Sequence, residues 1–114
     1  MDWKEKAIKI LRNSLFPLPT ELNELDWKSG LSPKTERLAQ HLSAFANLQG
    51  GGMLVFGIND DSSLFSISKQ ESDKIVQTLG NIAKNNLNYS IEIEHAIIEY
   101  DSKKKFATYI PYYG

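Results

Sequence analysis

The chain has 114 residues, 41% of them hydrophobic and 24% charged, an ordinary balance for one globular domain able to bury its own core. It has no cysteine, which excludes a disulfide framework, a thiolate metal site and a cysteine nucleophile. Thirteen Lys and Arg against fourteen Asp and Glu leave a net charge of −1, so a polyanion would have to meet a local basic patch.

No apolar run is long enough to cross a bilayer, and the start MDWKEKAIKI lacks the apolar stretch of a secretory signal. The expected setting is therefore the cytoplasm, with no membrane partner. Trp3, Ala7, Ile8, Leu11 and Leu15 recur at helical spacing, which predicts a helix over residues 3 to 14 that stops before Pro17 and Pro19. Residues 1 to 16 thus read as an appended helix, laid on a domain of residues 20 to 113 or used as a dimer contact.

In ELDWKS, Leu25 and Trp27 fall on one face of a short strand, and Glu24, Asp26 and Lys28 on the other. Ser32 as N-cap and Pro33 at the first helical position open a core helix over residues 33 to 48, with the apolar stripe Leu38, Leu42, Phe45 and Ala46. Gly50, Gly51 and Gly52 end it and permit positive φ. MLVFGI is apolar on both faces, as a central strand covered on both sides would be. NDDSS turns the chain and LFSI returns as a hairpin partner.

Ser68 and Glu71 form a capping box for a second core helix with the stripe Ile75, Leu79, Ile82 and Ala83. IEIEHAIIEYD alternates and then shifts phase near Ala96, which reads as a bulge. DSKKK is the turn into a last strand, KFATYIPYY, which Pro111 either ends or places at an edge. The order α, β, α, β, β, α, β, β makes the fold α+β. Its sheet is mixed and mostly antiparallel, packed on two core helices, with an extra N-terminal helix.

The triple glycine does not read as a phosphate cradle. Phosphate loops run from strand to helix, whereas here a helix precedes the glycines and offers them its negative end, so ATP is disfavoured. The acidic residues carry more chemistry. Glu21, Glu24 and Asp26 precede the first core helix, and Asp60 and Asp61 follow the central strand. If those strands are neighbours, Glu21, Asp26 and Asp60 converge, and three carboxylates suit Mg²⁺ or Mn²⁺ bridging to phosphate. Glu21 and Asp26 are five apart, so they meet only if the chain turns between them. The alternative makes Asp60 and Asp61 turn formers.

The basic residues gather in three places: Lys4, Lys6, Lys9 and Arg12; Lys28, Lys34 and Arg37; and Lys103, Lys104 and Lys105. His41 and His95 read as packed structural residues. No elbow motif supports a serine nucleophile.

ELNELDWKSG, then SAFANLQGGGMLVFGINDD a helix later, then an α-β-β tail ending in ATYIPYY, together resemble the Schlafen AlbA_2-type domain from about Glu21 to Tyr112. Ala44-Phe45-Ala46-Asn47, followed by Gly50 to Gly52 and the strand to Gly57, is the specific part. The resemblance implies a DNA-binding module of transcriptional-regulator-like proteins, commonly joined to further C-terminal domains. It also implies, from the RNA-cleaving eukaryotic Schlafen proteins, a three-carboxylate site at Glu21, Asp26 and Asp60. Asp26 stands where the family usually carries Glu, and Leu22 where Ser is common.

The leading expectation is a DNA- or RNA-binding module holding phosphates with Lys28, Lys34, Arg37 and Lys103 to Lys105. A Mg- or Mn-dependent endoribonuclease using Glu21, Asp26 and Asp60 is the rival. A dimerisation domain, with Trp3, Leu11 and the final strand as its contact surface, is the third reading.

Overall fold

The computed structural model describes residues 2–15, 24–31, 34–59, 61, 63–85, 87 and 91–113. Among them the order is α1 (Trp3–Leu15), β1 (Leu25–Lys28), α2 (Thr35–Ala46), β2 (Gly52–Phe56), α3 (Lys69–Asn85), β3 (Glu94–Tyr100) and β4 (Lys103–Ile110). The sheet runs β1-β2-β4-β3, with β1 parallel to β2 and the other two pairs antiparallel. The architecture is the expected α+β one.

Every residue of β2 is buried, because the two faces of the strand are covered by different helices. Leu54 and Phe56 join Leu38, Leu42, Phe45, Ile75, Leu79 and Ile82 of α2 and α3. Met53 and Val55 pack instead with Ala7, Ile10 and Leu11 of α1 and with Leu25. Each large apolar side chain taken from water in this way contributes about 1.5–3 kcal/mol.

The N-terminal helix is therefore the lid of the second face. Trp27 Nε1 donates to the buried Ser14 Oγ at 3.1 Å, and Trp3 stacks on Tyr109 with ring centroids 5.7 Å apart. Its buried stripe is Ala7, Ile10, Leu11 and Ser14, whereas Ile8 is exposed. The 3.6-residue period carries the stripe from residue 7 to 10 and 11, not to 8. Leu11 is wholly buried, so it is not available to the expected dimer surface.

Four local expectations need correction. Lys34, not Ser32, holds the N-cap position of α2, and the helix starts at Thr35; Ser32 and Pro33 lie outside the described residues. LFSI forms no strand, only an isolated bridge between Ile58 and Leu64. It divides its hydrogen bonds, Phe65 N donating to Gly57 O and Ile67 N to Lys104 O, and so crosses the end of the sheet. The β3–β4 register runs without interruption from Glu94–Tyr109 to Tyr100–Lys103, so there is no bulge. The phase of burial changes because the cover changes: Ile91 and Ile93 pack beside α2 and α3, and Ile98 beneath α1. Finally, the turn is only Asp101-Ser102, both at positive φ as a two-residue hairpin requires, and the three lysines belong to β4.

The expected cap of α3 is present, with Glu71 N donating to Ser68 Oγ at 3.1 Å. Gly50 and Gly51 have φ of 89° and 75°, the left-handed turn between α2 and β2 that side chains resist. Pro111 follows the end of β4, which is an inner strand.

Candidate nucleic-acid interface

The parallel pairing of β1 and β2 makes β1-α2-β2 a crossover unit, with Asp26 opposite Leu54 and Lys28 opposite Phe56. Asp26 and Lys28, two apart, point to the same face, and that face carries α2. Asp26 Oδ2 lies 3.1 Å from Lys28 Nζ and 3.3 Å from His41 Nε2. The three side chains are 22%, 28% and 29% exposed, so a ligand can still reach them. At such exposure the Lys28 pair contributes at most about 1 kcal/mol to stability.

His41 is held from behind. Its ring stacks on Phe45, with centroids 5.0 Å apart and planes at 19°. Phe45 in turn lies over Gly52, where a Cβ would overlap the ring. The alanine-phenylalanine and glycine residues of the family-like stretch thus form a platform for the histidine that grips Asp26. Arg37, His41 and Phe45 stand four apart, on one stripe of α2. That spacing was the signal for His41, which sequence reasoning treated as structural.

Two clefts adjoin this group. One of about 460 Å³ is lined by Lys28, Arg37, Leu38, Gln40 and His41. The other, about 510 Å³, is lined by Lys34, Thr35, Glu36, Arg37 and Gln40. Arg37 and Gln40 line both, so Lys28, Lys34 and Arg37 stand around two adjoining clefts. The first turn of α2 lines the second of them. The positive end of the helix adds to the attraction for an anion.

The third lysine cluster divides. β4 begins beside the end of β2, since Phe106 is opposite Phe56, so its lysines lie at the same end of the sheet as Lys28. Lys104 shares the α2 face with Phe106, and Lys103 falls on the other. Lys105 does not face solvent at all. It is fully buried, its ammonium donates to the Phe65 carbonyl, and it lies 6.0 Å from the centre of the Phe65 ring. Burial, with a smaller push from Lys103, lowers its pKa. Gly57 leaves room for its stem, as a Cβ there would come within 2.8 Å of Lys105 Cδ. Lys105 is a pin for the segment after β2 and cannot hold a phosphate. Lys4, Lys6, Lys9 and Arg12 are exposed on α1, across the sheet from the groove.

Of the three expected carboxylates, Asp26 alone is described; Glu21 and Asp60 lie outside the described residues. Among the described residues no three His, Asp or Glu side chains gather as a metal site. Asp61 is a turn former: its Oδ1 accepts from Ser63 Oγ at 2.6 Å and from Ser63 N at 2.9 Å, bonds that lower its pKa. His95 stacks on Phe106 at 5.4 Å and shares a 2.9 Å hydrogen bond between Nδ1 and Thr108 Oγ1. Among the described residues no helix is long and apolar enough to cross a membrane.

The fold is similar to that of the DIP2311 protein from Corynebacterium diphtheriae, known from a crystal structure, with a TM-score of 0.55 and 15% identity. The likeness covers 96% of this chain and 22% of that one, so this chain spans about a fifth of its structural neighbour. A search of curated proteins gave no match. The family model described as Schlafen, AlbA_2 matches residues 21–112, which takes in β1, α2, the glycine turn, β2 and the whole α-β-β tail. The chain belongs to the Schlafen AlbA_2 family.

Proposed function

We propose that the chain is a nucleic-acid-binding module that seats phosphates along the groove between the end of β1 and the first half of α2. The observation that carries this reading is the pair of clefts joined through Arg37 and Gln40, with Lys28 and Lys34 on either side. Arg37 supplies a planar fork for phosphate oxygens, and the lysines supply point charges. Lys104 extends the basic line across the same face. Within a longer protein, such a module would serve a DNA-binding regulator or an RNA-directed protein, the two partners that the family leaves open.

Fluorescence anisotropy with labelled single-stranded RNA and duplex DNA at low salt tests the reading. Lys28→Ala and Arg37→Ala should each weaken binding roughly tenfold and lower the salt slope by about one. Lys9→Ala, on the opposite face, should leave both unchanged. No binding at low salt, or an equal loss in Lys9→Ala, would reject the groove.

The parallel neighbours β1 and β2 favour a second reading, a metal-dependent endoribonuclease. Both strands run toward one end of the sheet, so the chain leaving β2 toward Asp60 departs beside the strand that carries Asp26. Asp26 is an oxygen donor of the kind that Mg²⁺ and Mn²⁺ take. Structured RNA incubated with Mn²⁺ should be cut by the native chain and spared by Asp26→Asn; cleavage that survives the substitution removes Asp26 from any such site.

A further inference from the structure

We propose that the chain forms a homodimer by pairing the outer edge of β3 antiparallel to β3 of a second copy, centred on Ile97. Among the described residues β3 is bonded only to β4, so its other edge offers a row of free amides and carbonyls. Proteins guard such an edge with charge, proline or a bulge; β3, EHAIIEY, has neither proline nor bulge, and its charges, Glu94 and Glu99, stand on either side of an apolar centre. At its midpoint Ile97 is 54% exposed, and Val76 of α3 is 40% exposed.

The backbone phase fixes which groups are free. In a two-residue hairpin the flanking pair, here Tyr100 and Lys103, is hydrogen-bonded, as are alternate pairs along the ladder. Glu94, Ala96, Ile98 and Tyr100 therefore turn their backbone groups to β4, and His95, Ile97 and Glu99 turn theirs outward. Lys104, opposite Glu99, agrees: its backbone bonds go to Ser66 Oγ and Ile67 N, away from β3.

An antiparallel pairing about Ile97 matches these outward residues with one another. Ile97 meets Ile97 of the second copy, and His95 meets Glu99, twice by symmetry. The apolar pair sits in the middle and a complementary polar pair lies on each side. His95 Nδ1 is engaged with Thr108, which leaves Nε2 to face the carboxylate. The register is self-complementary, which points to a second copy of this chain as the occupant. The other edge strand, β1, has four residues and ends in Lys28, and fits this role less well.

Sedimentation velocity and amide exchange test the pairing on the intact chain. The native chain should sediment as a dimer, and exchange at His95, Ile97 and Glu99 should slow as concentration rises, while Ala96 and Ile98 stay equally protected throughout. Ile97→Lys, at an exposed position, should raise the dimer dissociation constant more than about tenfold. Glu99→Lys, also exposed, should do the same by removing the carboxylate that faces His95 and setting a lysine on the edge. A monomer at all concentrations overturns the proposal. So does a dimer that leaves those three amides unprotected, or one that survives both substitutions.

Discussion

His41 and His95 are built alike and serve different surroundings. Each stacks on a phenylalanine, Phe45 or Phe106, at nearly the same separation and tilt. Each engages a polar partner through a ring nitrogen. For His41 that partner is a carboxylate, Asp26, in a groove with Lys28 and Arg37. For His95 it is the buried hydroxyl of Thr108, beside a cleft of about 380 Å³ lined mostly by apolar groups such as Val76, Ile91 and Ile93. The same packing unit becomes part of a charged site or part of a wall according to what the neighbouring strand places beside it.

The glycine near each ring gives the sharpest way to break this comparison. Gly52 lies under Phe45, with no room for a methyl group. Gly52→Ala must displace a buried ring from a packed core and should destabilise the fold by about 1–3 kcal/mol, read by urea denaturation. It should also loosen His41 and weaken nucleic-acid binding in the surviving folded protein. Gly80, beside the His95 cleft in the interior of α3, has nothing within 4 Å of the place a methyl group would take. Gly80→Ala should therefore stabilise by about 0.5–1 kcal/mol through helix propensity alone. Equal and opposite effects at the wrong sites, with Gly52→Ala neutral, would mean that Phe45 does not hold His41 in place.

Much of this frame was legible in the residues themselves. The stripes Leu38, Leu42, Phe45, Ala46 and Ile75, Leu79, Ile82, Ala83 are buried as read, because helical period reports a helix's own buried side directly. So is the cap at Ser68. What could not be read was set by partners distant in sequence. Lys105 looks like its neighbours Lys103 and Lys104, yet its side chain is buried against the segment after β2, held by a carbonyl 40 residues away. His41 became a site residue only when β1 was laid beside β2 and under α2. The β3 irregularity was a change of covering helix, which sequence phase cannot distinguish from an inserted residue.

The smallest expected effect separates the two histidines by titration. Burial lowers the pKa of His95 below its ordinary 6.5. The unfolded chain then binds a proton that the folded chain resists, so stability should be full above about pH 6.5 and decline as pH falls below it. Urea melts between about pH 7.5 and pH 5.5, above the range of ordinary carboxylates, should record that slope. His95→Gln keeps an amide able to meet Thr108 and removes the titrating ring, so its slope should flatten. His41→Gln leaves His95 and its apolar wall untouched and should retain the His95 part of the slope. A slope that persisted unchanged in His95→Gln would remove His95 as its source.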